Sequence, residues 1–182
     1  MTIAEDYDVV VKATKSEFSG FQIIPKKESF LMKTIDVILR VITVGQMTKF
    51  MKDFTTTLGQ RVYVPESWDS YSDFNKLSTV RHERVHMRQA RKYGRIVFSL
   101  LYLMIPFPVG FAYFRKKFEQ EAYETSIRTA YQYFGEISLS EERREMIISQ
   151  FTTSSYFWMW PFRKEIESWY DSFIEKVRKE NA

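Results

Sequence analysis

The chain of 182 residues contains two histidines, and they stand four positions apart around a glutamate, in His82-Glu83-Arg84-Val85-His86. On a helix, four residues make about 1.1 turns, so the two imidazoles share one face, about 6 Å apart along the axis. Both can then reach one metal ion. Glu83 is rotated from His82 by about 100°. There its carboxylate can lean over the open metal position, deprotonate a metal-bound water and return the proton to a leaving amine. Zinc suits such a donor set, with a cofactor stoichiometry of one Zn2+ per chain. The competing reading is a pair of ordinary buried histidines. Average composition makes a chance His-Glu-x-x-His rare in a chain this short, at well under about 1%. The helical projection favours the metal reading further. His86, Gln89, Ala90 and Tyr93 project with His82, whereas Arg81, Arg84, Arg88, Arg91 and Lys92 fall on the opposite side.

A catalytic zinc ordinarily has three protein ligands and one open position. With no further histidine and no cysteine in the chain, the third ligand should be a carboxylate. The segment Phe118-Glu119-Gln120-Glu121-Ala122-Tyr123-Glu124 offers three.

These residues carry a resemblance. The chain looks like the gluzincin metallopeptidases, in which His-Glu-x-x-His is followed by a glutamate on a second helix. Arg115-Lys116-Lys117-Phe118-Glu119-Gln120-Glu121-Ala122 is similar to the third-ligand segment Glu-x-x-Ala-Asp of the prenyl-protein and heat-shock membrane peptidases. The aspartate of that pattern is Tyr123 here. Small zincin-like proteins of bacteria and phages are also similar, through a strand before the motif that matches Thr57-Leu58-Gly59-Gln60-Arg61-Val62-Tyr63-Val64-Pro65. The resemblance covers about residues 54–126 and implies a minimal zincin-like fold. Zincins hold extended substrate on an edge strand before the motif helix, and residues 61–64 are expected in that role, with a plain structural hairpin as the alternative.

The helical projection then separates the three glutamates. With Phe118 at zero and about 100° per residue, Ala122, Tyr123, Ile127, Ala130 and Phe134 fall between roughly 40° and 180°. Glu119 lies near the middle of that apolar arc at about 100°, whereas Glu121 and Glu124 lie beyond about 240°. A carboxylate in an apolar face needs compensation. A metal ion would supply it, and a buried arginine pair is the alternative. The expected site is therefore His82, His86 and Glu119 as metal ligands, with Glu83 as general base. No oxyanion donor stands out; Tyr123, Tyr131 and Tyr156 are candidates.

Several elements must position these residues. Residues 1–27 show little periodicity and are expected to form an extended arm, followed by a single domain over 28–182. Ser29 can cap a helix in which Leu31, Ile35, Ile38, Leu39 and Ile42 recur at helical spacing, ended by Gly45. Residues 54–65, β-branched and aromatic around Gly59, predict a β-hairpin. Ser70 or Ser72 should start the motif helix, which runs to about Gly94. Residues 96–114 are an apolar run, long enough to span a bilayer but interrupted by Pro106, Pro108 and Gly110. They are expected as a broken element inside a soluble domain. A helix over about 115–134 ends at Gly135. Ser138-Leu139-Ser140-Glu141 resembles a capping box before the next helix. A last helix runs to about Arg178, after an aromatic cluster over 156–162. Trp158, Trp160 and Trp169 are read as core residues. The fold class is α+β, mainly α.

Composition bounds the function. The hydrophobic content of 45% suits a packed core. The absence of cysteine excludes disulfides and a cysteine nucleophile, and fits a reducing compartment. The N-terminus shows no secretory signal pattern, and a cytoplasmic location is expected. A net charge of +4, from 27 basic and 23 acidic residues, is too mild to suggest nucleic-acid binding. The expected function is that of a zinc-dependent metallohydrolase, a peptidase acting on a peptide or protein substrate. The alternatives are a non-catalytic zincin-fold binding or assembly module, with membrane association, and hydrolysis of another bond such as a cell-wall amide.

Overall fold

The computed structural model describes residues 2–42, 45, 50–103, 112–153 and 159–181. These are mainly helical, with one small three-stranded sheet. The chain falls into two compact units, Met1–Met87 and Arg88–Ala182. The division lies inside the helix that carries the two histidines.

The first unit begins with a helix where an extended arm is expected. Helix α1 (Ile3–Glu17) opens on a reciprocal cap. The Glu5 amide donates to Thr2 Oγ1 at 3.2 Å, and the Thr2 amide donates to Glu5 Oε2 at 2.7 Å. Its inner face presents Tyr7, Val10 and Val11 to Phe18, Phe21 and Met87. The apolar stripe is interrupted at Thr14, which is fully buried and returns its hydroxyl to the Val10 carbonyl at 2.7 Å. That polar residue at a core position hides the period.

Strand β1 (Gln22–Pro25) follows and pairs in parallel with β3 (Arg61–Val64), Ile23 opposite Val62 and Ile24 opposite Tyr63. Strand β2 (Thr56–Leu58) pairs antiparallel with β3 through a turn at Gly59, whose φ of 65° suits a residue without Cβ. The expected hairpin is present. However, the sheet order is β1-β3-β2, so residues 61–64 form the central strand and not an edge. Both sides of their backbone are already paired. Val62 and Val64 face the cluster of Phe18, Phe21, Val80 and Met87, whereas Tyr63 packs with Met32 and Phe50. Such two-sided burial is what a central strand requires.

Helix α2 (Phe30–Ile42) starts where Ser29 Oγ accepts from the Met32 amide at 3.3 Å. Met32, Ile35 and Leu39 pack inward. Leu31 and Ile38, expected on that face, are exposed. The contact face is centred on Met32 because it must meet Phe50 and Tyr63. Helix α3 (Asp73–Tyr93) begins where Ser72 Oγ accepts from the Asn75 amide at 3.2 Å and gives way to Gly94 at a φ of 82°. Leu77 and Val80 are completely buried along it. Burial of each such side chain contributes about 1.5–3 kcal/mol.

The second unit contains helices α4 (Arg95–Leu103), α5 (Ala112–Phe134), α6 (Glu141–Thr152) and α7 (Arg163–Glu180). Gly135 ends α5 at a φ of 57°. Ser140 caps α6 by accepting from the Arg143 amide at 3.4 Å. The main core joins Ile127 of α5, Ile147, Ile148 and Phe151 of α6, and Ile166 and Phe173 of α7. Trp160 and Trp169 pack against it, as expected of core residues. A smaller cluster joins Ala90, Phe98 and Phe118, with Leu101 and Tyr102 beside it. Pro106, Pro108, Gly110, Tyr156 and Trp158 lie outside the described residues. Among the described residues, no helix is long and apolar enough to cross a membrane.

Candidate metal centre

Helix α3 delivers the motif as its spacing dictates. His82 and His86 occupy consecutive turns, with ring centroids 5.0 Å apart and ring planes at 74°. Their Nε2 atoms approach to 3.2 Å. His86 is buried and His82 half-buried. On the same side, Gln89 and Ala90 are buried, whereas Arg88, Arg91 and Lys92 are exposed. Arg84 turns away to Glu17, with Nε to Oε2 at 2.8 Å. Tyr93 is more exposed than its inward projection suggests, although its ring lies 5.3 Å from that of Phe118.

Glu83 is 7% exposed, and its Oε2 accepts a hydrogen bond from Thr57 Oγ1 on β2 at 2.7 Å. The short hairpin therefore fixes the orientation of the candidate base. A buried lysine adds to the local electrostatics. Lys26 is fully buried, its Nζ donates to the Phe50 carbonyl at 2.8 Å, and it lies 3.5 Å from the centre of the Phe50 ring. Burial lowers its pKa to about 7, against the opposing influence of the Glu83 and Asp36 carboxylates.

In the second unit, Glu119 is 3% exposed on α5. Its Oε1 accepts a hydrogen bond from the Tyr102 hydroxyl of α4. The two other glutamates are engaged differently. Glu121 is exposed and accepts from Gln89 Nε2 at 2.8 Å. Glu124 accepts from the Trp169 indole at 3.0 Å. Gln89 also donates to the Phe118 carbonyl at 3.1 Å, which ties the last turns of α3 to the start of the glutamate segment. The buried position of Glu119 agrees with the helical projection.

Among the described residues, one group has the composition and closeness to hold a metal ion. It comprises His82, His86 and Glu119, with one ligand atom from each all within 4.8 Å of one another. Tetrahedral ligands at zinc distances of about 2.0–2.1 Å stand about 3.3 Å apart. The histidine nitrogens at 3.2 Å already meet that separation. Two imidazoles and one carboxylate also match a catalytic donor set in chemical type.

Tyr102 carries no sequence signal that separates it from the other tyrosines. It sits inside the apolar run, and only its i, i+4 relation to Phe98 marks it as inward-facing. Of the expected candidates, Tyr123 stacks near Phe151 at 5.4 Å, and Tyr131 donates to Glu136 at 3.2 Å.

The assignment of Glu119 has a direct test. Glu119→Ala should weaken metal binding by on the order of a hundredfold and lower the melting temperature of the metal-loaded protein. Glu121→Ala, at an exposed position, should change both little. Equilibrium dialysis against a metal buffer, paired with thermal melts, measures both. The reverse pattern would transfer the ligand to Glu121.

No protein-family model matches the chain, and no curated protein or solved structure is significantly similar to it.

Proposed function

We propose that this chain is a zinc-dependent metallohydrolase of gluzincin type that cleaves peptide bonds, with His82, His86 and Glu119 as metal ligands and Glu83 as general base. The observation that supports it most strongly is the convergence of one ligand atom from each of those three residues within 4.8 Å, with the buried Glu83 on the helix of the two histidines. A bound zinc ion would supply Lewis-acid polarisation of a carbonyl and a lowered pKa for water.

The remaining chemistry belongs to the chain. The Glu83 carboxylate takes a proton from the attacking water and returns it to the amine nitrogen as the C–N bond breaks, so that one water yields one acid and one amine. Thr57 holds Oε2 of that carboxylate and leaves Oε1 as the oxygen for proton transfer. Tyr102 holds Glu119 in the same manner. Strand β2 lies at one edge of the sheet and carries Thr57. In this reading an extended substrate pairs its main chain with β2, in place of the central strand β3. A cytoplasmic setting fits the absence of cysteine.

The test combines metal analysis of the purified chain with a broad peptide-library digest. About one zinc per chain is expected, together with cleavage that stops on chelation and resumes when zinc is restored. Zinc without cleavage of any peptide would replace the peptidase with a metal-bearing binding module, and absence of metal affinity would remove both.

A further inference from the structure

The site accounts for one face of α4 and leaves the other unexplained. Phe98, Leu101 and Tyr102 turn toward Ala90, Phe118 and Glu119. Ile96, Val97 and Leu100 turn outward, at 77%, 49% and 55% exposure. Solvation of three large aliphatic side chains on two turns of one helix is costly unless something covers them. Basic side chains flank this face. Residues 84–118 hold eight basic residues and no acidic one, although Arg84 and Lys116 pair with Glu17 and Glu165 from elsewhere in the chain. Lys92 and Arg95, immediately before the apolar face, are exposed, and so is Lys117 beyond it. Tyr93 and Tyr113 are both partly open to solvent at the two ends.

From this arrangement we infer that the outer face of α4 seats the protein on an anionic lipid bilayer, as a helix lying in the interface. Nine residues of helix reach about 14 Å, less than half of a hydrocarbon core of about 30 Å. On its described length the helix is placed in the interface. Aliphatic side chains enter the acyl boundary, tyrosines sit at the headgroup level, and lysine and arginine meet lipid phosphates. The charge distribution also selects among partners. A second copy of this chain would set Lys92, Arg95 and Lys117 of one molecule against those of the other, which is repulsive. The exposed apolar face of α2 is bordered by acidic as well as basic residues, since Glu28 is exposed before it and Arg40 is paired with Asp36 at 2.8 Å.

Co-sedimentation with vesicles tests the inference, using phosphatidylcholine alone and an equal mixture of phosphatidylcholine and phosphatidylglycerol. The full chain should pellet with the anionic vesicles, and binding should decline as salt rises. Ile96→Ser, Val97→Ser and Leu100→Ser together should weaken binding by on the order of a hundredfold. Lys92→Gln and Arg95→Gln should each weaken it about fivefold. All five positions are exposed, so melting temperatures should hold, which confirms that the variants fold. The inference does not depend on the metal reading, and the chain carrying both His82→Ala and His86→Ala should bind vesicles unchanged. Equal binding to neutral and anionic vesicles would overturn it, and so would undiminished binding by the triple serine variant. It would also fall if lipid-free sedimentation showed a dimer that the triple variant abolishes, because the face would then join two copies.

Discussion

Replacement of Glu83 by glutamine should leave metal content and melting temperature close to those of the unaltered chain, while turnover falls roughly a hundred- to ten-thousandfold. Glutamine has nearly the same volume as glutamate, and its carbonyl oxygen can still accept from Thr57 Oγ1, now 2.7 Å from the carboxylate. The hydrogen bond that joins the hairpin to α3 is therefore kept. What disappears is the ability to take a proton, because an amide is not a base at neutral pH. The measurement is initial rate on the best peptide from the library digest, with metal content determined on the same sample. Activity above a few percent in a fully metallated Glu83→Gln protein would remove Glu83 from the role of base. Loss of metal together with activity would mean that Glu83 supports the site structurally, and the catalytic assignment would have to move.

The second large effect concerns the histidines. His82→Ala or His86→Ala should each weaken metal binding by a hundredfold or more, and the two together should abolish stoichiometric binding. The unaltered chain should also melt at a higher temperature when metal is added, because an ion that binds only the folded state stabilises it. At a free concentration of a hundred times Kd the gain is about 2.7 kcal/mol. Both single variants should lose most of that gain. The two Nε2 atoms stand 3.2 Å apart, so removal of either imidazole leaves the other with only Glu119 as a co-ligand in the group. Metal analysis and thermal melts with and without zinc decide the matter. Full metal content in the double variant would remove the metal centre from this account entirely.

Much of the site is local and can be read along the chain. The pairing of His82 with His86 depends only on the rise and rotation of one helix, and any helix over 73–93 brings the rings together. The caps at Ser29 and Ser72 and the stop at Gly94 are equally local. The choice of Glu119 needs one further step, the apolar arc on α5, which is still a property of consecutive residues. The β2–β3 hairpin follows from β-branched and aromatic residues around Gly59.

Tertiary structure decided what no local period encodes. β1 is four residues long and finds its partner far along the chain, so neither its existence nor the central position of β3 could be read from residues 61–64 alone. α1 is obscured by buried Thr14, a polar residue that satisfies its hydroxyl within its own helix. Thr57 meets Glu83, and Tyr102 meets Glu119, because strand and helix packing bring together groups with no fixed spacing in sequence. Lys26 is fully buried because its ammonium finds the Phe50 carbonyl and ring, and a charged residue is not assigned to a core by composition. The sequence by itself determined the candidate donors His82, His86 and Glu119 and the helix faces on which they sit. The fold alone decided which neighbours orient them, since those contacts arise from pairing and packing between distant segments, and an amino-acid pattern encodes only the geometry of one segment at a time.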